Sequence, residues 1–225
     1  MAKKESQKFL ERKKRSKKIY YTLKKLYPDA KIALNFGTKW ELLVAVILSA
    51  QCTDIMVNKV TSEVFKKYKT LNAYVRANQK EFEQDIKSIG FYRNKTKNIL
   101  LATKKIHKEY GGKVPNTMKE LLTIPGVARK TANVVLSNAF GVNEGIAVDT
   151  HVKRFSQRFD LSDYKDPVRI EKDLMELFPK KQWNQITNLL INYGRNICPA
   201  RKHDCKSHPL TALYPKANII WPRAK

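Results

Sequence analysis

The segment Leu122-Thr123-Ile124-Pro125-Gly126-Val127-Ala128-Arg129-Lys130-Thr131-Ala132-Asn133-Val134-Val135 decides how this chain is read. Just before it, Thr117 followed three residues later by Glu120 is a capping signature that opens a helix through Leu121 and Leu122. Pro125-Gly126 ends that helix, because proline cannot continue helical hydrogen bonding and glycine accepts the backbone angles of a tight turn. A second helix is predicted to begin near Arg129. Two helices joined by a short glycine-containing turn aim the exposed N–H groups of the turn and of the second helix's N-terminus at one point, which suits a phosphate. The plainer alternative is a turn and nothing more.

Outward from the hairpin the chain reads as helix after helix. Thr38 and Glu41 repeat the capping box and open Leu42-Leu43-Val44-Ala45-Val46-Ile47-Leu48, apolar on every side and therefore predicted as a central buried helix. Asp166-Pro167 supplies an N-cap with proline at the first helical position, followed by Ile170, Leu174 and Leu177 on one face. Ile186, Leu189, Leu190 and Tyr193 form a further apolar stripe, which Gly194 is expected to end. No alternating strand pattern survives beside these signals, so the fold class is all-α.

Composition points to a polyanionic partner. The 225 residues carry a formal charge of +25, and a positive surface that is not cancelled locally favours nucleic acid. Residues 1–25 hold eleven Lys/Arg against two Glu, a surplus of nine, and the remaining +16 belongs to the body of the chain. The basic segment reads either as a solvated helix or frayed tail, or as an arm on DNA phosphates or an import signal. The longest apolar stretch, Leu42 to Ala50, is far short of the roughly 20 residues that span a bilayer, so no membrane role is expected. No apolar signal-peptide core follows the N-terminus, and Cys52, Cys198 and Cys205 are an odd set in a large chain rather than a disulfide framework. An intracellular protein is expected, in cytoplasm and nucleoid or in a nucleus.

The stretch from Ile124 to Phe155 resembles the helix-hairpin-helix and Gly/Pro-Asp (HhH-GPD) region of the endonuclease III family of DNA repair glycosylases. Matching segments continue in order through Leu34-Asn35-Phe36, Leu48-Ser49-Ala50-Gln51-Cys52-Thr53-Asp54, Gly90-Phe91-Tyr92-Arg93-Asn94-Lys95, Val114-Pro115 and Gly194-Arg195. The resemblance implies two helical domains with a cleft between them. Residues 36–148 would form one domain with the hairpin. Residues 1–35, a basic arm and helix, would pack with residues 149–225, the C-terminal domain. It also implies a monomer that acts on damaged double-stranded DNA, removing oxidised pyrimidines and nicking the strand by β-elimination.

The chemistry constrains the residues that carry such a reaction. An amine can displace a damaged base at C1′ and form a Schiff base only when its lone pair is free. An unperturbed lysine is neutral about once in 2,500 at pH 7, and desolvation, nearby cations and a helix N-terminus all raise that fraction. Lys130, beside Arg129 at the start of the second hairpin helix, matches the family's nucleophile. Asp149, in Ala147-Val148-Asp149-Thr150-His151-Val152-Lys153-Arg154, is a helix N-cap by its context and matches the family's second catalytic group, a carboxylate that stabilises positive charge developing on the sugar. Gln51 and Phe91 match a gap-filling glutamine and an inserted apolar wedge, although Phe91 also reads as an ordinary buried aromatic. Asp54 matches an acidic position near the base pocket. Gly126, Ala128, Arg129, Thr131, Arg195 and Arg201 are expected DNA contacts.

Two departures from the family stand out. Ala128 occupies the place of the hairpin's usual second glycine, and a left-handed backbone there would cost alanine about 1 kcal/mol. Near the C-terminus the family carries four cysteines around a [4Fe-4S] cluster. Here Cys198 and Cys205 keep the first spacing, but His208 and Tyr214 stand at the third and fourth positions. Such a cluster wants four thiolates, so no cofactor is expected and the loop is read as metal-free, held by packing that includes Tyr214. Zinc on Cys198, Cys205 and His208, with His203 as a further donor, is the minor alternative. Two other functions compete with the main reading. A monofunctional mismatch glycosylase of the same superfamily would lack the hairpin lysine, and a non-enzymatic hairpin DNA-binding protein would need neither Lys130 nor Asp149.

Overall fold

The computed structural model describes residues 6–201 and 203–220, and among them every regular element is helical. The all-α expectation therefore holds. The chain divides into two compact units, one of Ala33–Glu144 and one built from both ends of the chain, Met1–Ile32 with Gly145–Lys225.

The second of these begins with α1 (Gln7–Leu26), capped by the Ser6 hydroxyl, which accepts from Phe9 N. The described part of the basic segment is neither a tail nor a fully solvated helix. Ile19, Tyr20 and Leu23 are buried in the unit's core, and Arg12 is buried beside Asp160 and Asp163. Arg15 pairs with Asp160, and Lys8 with Asp163. An apolar stripe inside a lysine-rich sequence was enough to dock it, and those three basic side chains are directed at this unit's own acids. Lys3 and Lys4 lie outside the described residues.

The Ala33–Glu144 unit contains α2 (Lys39–Leu48), α3 (Asp54–Lys67), α4 (Leu71–Val75), α5 (Gln79–Asp85), α6 (Tyr92–Glu109), α7 (Met118–Leu121) and α8 (Arg129–Phe140). The capping box at α2 forms in full: the Thr38 hydroxyl accepts from Glu41 N, and Glu41 Oε2 accepts from Thr38 N. Trp40 and Leu42 through Leu48 are all buried, as expected for an element apolar all round, and α8, α6 and α3 pack around it. Thr117 caps α7, but Glu120 accepts from the Thr117 hydroxyl instead of completing a reciprocal box, and α7 is a single turn.

The other unit continues with α9 (Thr150–Arg158), α10 (Pro167–Leu177), α11 (Trp183–Asn196), α12 (Pro209–Leu213) and α13 (Ala217–Ile220). Asp166 caps α10, with Pro167 at its first position. Phe155, Phe159, Ile170, Leu174, Ile186, Leu189, Leu190 and Tyr193 join Ile19 and Leu23 in its core. Gly194 does not end α11, which runs on to Asn196. A Cβ on Gly194 would lie 2.2 Å from His151 Nδ1 and 2.8 Å from Arg154 Nη2. The glycine is required by the close approach of α9, not by a turn.

Candidate functional site

The hairpin is α7, the turn from 122 to 128, and α8. Gly126 holds φ +81°, and a Cβ there would stand 2.9 Å from Cβ of Asn98 on α6, so both backbone angle and packing demand glycine. Ala128 is the N-cap of α8 at φ −92°, ψ 171°. That is extended backbone open to any residue, so the expected alanine penalty does not arise. Its methyl offers no cap, and the first N–H groups of α8, at Arg129, Lys130 and Thr131, have no side-chain partner from the N-cap. Lys130 is exposed at the second position of the helix, between half-buried Arg129 and Thr131.

Asp149 belongs to the other unit, where it is the half-buried N-cap of α9 and its Oδ1 accepts from Val152 N at 2.8 Å. The cap that the sequence offered as the plain explanation is real. Arg195, in the last turn of α11, and Arg201, in the loop beyond, are exposed in the same unit as Asp149.

Gln51 and Phe91 come from adjacent turns of the Ala33–Glu144 unit, which also holds Lys130. A Cβ on Gly90 would lie 3.9 Å from the Gln51 carbonyl oxygen. Both residues are exposed, and both adopt left-handed backbone, at φ 53° and φ 58°. For residues with side chains this conformation is uncommon and costs about 1–3 kcal/mol. Phe91 is 66% exposed, so the alternative of an ordinary buried aromatic is set aside. Asp54 is half-buried in the first turn of α3, three residues beyond Gln51.

Beneath these turns lies a residue to which no role was attached from sequence. Lys95 on α6 is only 5% exposed, and its Nζ donates to the carbonyls of Leu48 at 2.9 Å and Ala50 at 2.6 Å. Burial pushes its pKa below the ordinary lysine value, against a weaker upward pull from Cys52. A lysine among forty-five Lys/Arg carries no signal of burial in sequence.

At the C-terminal loop four side chains converge. The donor atoms of Cys198, His203, Cys205 and His208 all lie within 4.8 Å of one another. Arg154 Nη1 donates to Cys198 O at 2.7 Å, and Arg158 Nη1 donates to Cys198 Sγ at 2.7 Å. Burial raises the Cys198 pKa, opposed by the charges of Arg158 and Arg154. His208 is shifted down by burial and by His203.

Residues 44–180 match the model of the HhH-GPD superfamily of base excision DNA repair proteins. The chain belongs to that family. It is 51% identical over 210 residues to endonuclease III of Synechocystis sp., covering 93% of this chain and 96% of the relative. Endonuclease III of Bacillus subtilis is 48% identical over 201 residues, with 88% and 91% covered. Two solved structures of endonuclease III with DNA superpose on it. The trapped covalent intermediate gives a TM-score of 0.85 at 45% identity over 89% of this chain and 94% of the other. The non-covalent complex gives 0.86 at 44% identity over 91% and 96%.

This HhH-GPD protein does not have the metal-free loop that the cysteine count suggested. That expectation is overturned by the convergence of two thiols and two imidazoles in a chain whose relatives are endonuclease III proteins. His203 joins Cys198, Cys205 and His208, while Tyr214 is drawn elsewhere, with the Arg15 guanidinium 4.2 Å from its ring centre. Counting cysteines alone argued against a metal, whereas the zinc alternative names the same four residues. Sulfur and nitrogen donors of this kind are accepted both by iron–sulfur centres and by zinc, so the residues present fit a bound metal centre.

Proposed function

We propose that the DNA glycosylase and abasic-site lyase activity of this protein is carried by Lys130 as nucleophile and Asp149 as the assisting carboxylate, acting on oxidised pyrimidines in duplex DNA. The observation that carries the reading is the exposed lysine in the first turn of α8, directly after the glycine-held hairpin turn, in a chain 45% identical to an endonuclease III trapped covalently on DNA. The damaged nucleotide leaves the stack, and Gln51 and Phe91 enter the gap. The Lys130 amine attacks C1′ as the N-glycosidic bond breaks; the electron pair of that bond leaves with the base, which takes up a proton. Loss of the amine's proton and opening of the sugar ring leave an imine between Lys130 and C1′. Asp149 stabilises the positive charge on the sugar and assists these proton transfers. Removal of a C2′ proton then expels the 3′ phosphate, and water releases Lys130 from the unsaturated aldehyde.

Backbone N–H groups of the hairpin turn and of the start of α8, with Arg129 and Thr131, bind a phosphate of the strand; Arg195 and Arg201 add contacts from the other unit. The C-terminal loop is a variant of the family's four-cysteine loop, with His208 and Tyr214 at two cysteine positions. Cys198, His203, Cys205 and His208 would hold its metal centre, which ties the loop together and takes no part in the bond-breaking steps.

Borohydride trapping on a thymine glycol duplex tests the assignment. Wild type is expected to form a covalent adduct and Lys130→Ala none, with base release falling by at least about 10³-fold. Asp149→Asn keeps an N-cap and is expected to slow base release on the order of 10²- to 10⁴-fold at unchanged melting temperature. An adduct in Lys130→Ala, or none in wild type, removes Lys130 from the mechanism.

A further inference from the structure

We infer that Lys95 is a positioning residue for strand insertion: its buried ammonium holds the turn that presents Gln51, its backbone N–H bonds the adjacent turn that presents Phe91, and both residues are thereby kept in left-handed, outward conformations. The inference rests on the reading of those two residues as the groups that enter the gap in the duplex.

Lys95 is joined to both turns. Its backbone N–H donates to Phe91 O at 3.1 Å, the first helical hydrogen bond of α6. Phe91 is the N-cap of that helix and makes no side-chain cap bond, so the turn has no local lock of the kind Thr38 supplies to α2. The Lys95 side chain reaches from α6 to the end of α2. There Ala45 O is satisfied by Ser49 N, and Val46 O by the Ser49 hydroxyl. Leu48 O and Ala50 O accept from Lys95 Nζ. A cation at a helix C-terminus opposes the negative end of the helix dipole. Here it also grips the carbonyl of the peptide that enters Gln51, next to the dihedral that carries the positive φ.

Neither Gln51 nor Phe91 gains anything locally from its backbone angle, since neither is glycine. Left-handed conformations of this kind persist when the surroundings over-determine them, and they gather at functional sites. One buried residue here bonds both adjacent turns, its side chain the carbonyl that enters Gln51 and its backbone N–H the carbonyl of Phe91, and both Gln51 and Phe91 are exposed to solvent. A lysine of purely structural use is ordinarily at the surface, with its charge in water.

The test compares Lys95→Met, which keeps the length and removes the donors, with Gln51→Ala and Phe91→Ala. Each is assayed under single turnover on the same lesion in duplex and in single-stranded DNA, and by fluorescence of a 2-aminopurine paired opposite the lesion. Gap filling matters only where a partner strand exists. Lys95→Met is expected to slow base release from the duplex on the order of 10- to 100-fold, to leave the single-strand rate near wild type, and to reduce the 2-aminopurine signal. Adding Gln51→Ala to Lys95→Met is expected to slow the duplex reaction by less than the product of the two single effects. Lys95→Gln, which retains one donor group, is expected to fall between; it also serves if the methionine variant does not fold. Equal slowing on both substrates would reduce Lys95 to a structural residue and overturn the inference. Duplex-specific defects in Gln51→Ala and Phe91→Ala without one in either Lys95 variant would overturn it and leave the gap-filling reading standing. Wild-type behaviour of Gln51→Ala and Phe91→Ala on duplex would remove that reading and the inference together.

Discussion

Gly126 and Gly194 carry the same signal in sequence, a glycine closing an apolar helical stretch, yet the hairpin and the helix behind the C-terminal loop use them in opposite ways. Gly126 sits in a turn at φ +81°, where only glycine rests without strain. Gly194 lies inside α11 with no left-handed angle, and its missing Cβ admits His151 and Arg154 from α9. Arg154 then reaches the carbonyls of Cys198 and Pro199, so the glycine serves the loop of converging thiols and imidazoles from a distance. The hairpin is built mainly from neighbours in sequence, whereas the loop, although its four donors are close in sequence, is braced by an arginine 44 residues from Cys198.

The largest break in this comparison is expected at the loop. Cys205→Ala should abolish bound metal, read by elemental analysis of protein purified without chelator, and should lower stability by several kcal/mol. Wild-type protein without metal, or with a melting temperature indifferent to chelation, would show that the four donors hold nothing. Gly194→Ala comes next, at about 3 kcal/mol, because the new methyl overlaps His151 and the guanidinium of Arg154. It is expected to lower metal content as well; a thermally neutral Gly194→Ala would mean that α9 moves away freely.

At the hairpin, Gly126→Ala is expected to cost about 1–3 kcal/mol through its angle and the Asn98 contact, and to weaken binding of an abasic duplex measured by fluorescence anisotropy. Placing glycine at the N-cap of α8 by Ala128→Gly should not stabilise. In extended backbone it is expected to cost about 0.4–1 kcal/mol through the unfolded chain. A gain from it would mean that the turn strains Ala128 after all.

The smallest effect concerns α1. The Arg12 guanidinium and then Lys8 hold the Asp163 carboxyl down to about 2, below an unfolded value near 3.9. Its stabilising contribution is therefore complete above about pH 5 and is lost as pH falls toward 2. Asp163 is about half exposed, so screening leaves less than about 1 kcal/mol. The melting difference between wild type and Asp163→Asn should shrink between pH 5 and pH 2; a constant difference would dissociate the ion pair from the docking of α1.

The features legible in sequence were those whose cause is local or whose pattern is periodic. Thr38 with Glu41, Asp166 with Pro167 and the all-apolar run Leu42–Leu48 announced their helices because capping groups and burial patterns act within a few residues. The hairpin turn, with Lys130 after it, was visible for the same reason. Residues whose partners are remote were not: Lys95 under the Gln51 and Phe91 turns, and the three basic side chains of α1 that meet Asp160 and Asp163. A lysine or histidine looks the same in sequence whether it is solvated or clamped, since the free energy that distinguishes the two comes from groups supplied by other elements.

Sequence by itself thus determined the all-helical class, the hairpin and the polyanionic partner, because charge, periodicity and turn chemistry are properties of short stretches of chain. Only the tertiary structure decided that Gly194 is a contact rather than a stop, that Ala128 is unstrained, and that two cysteines find two histidines. The first depends on which distant atoms fill the space beside a Cα, and the other two on the path the backbone takes, which short-range patterns do not encode.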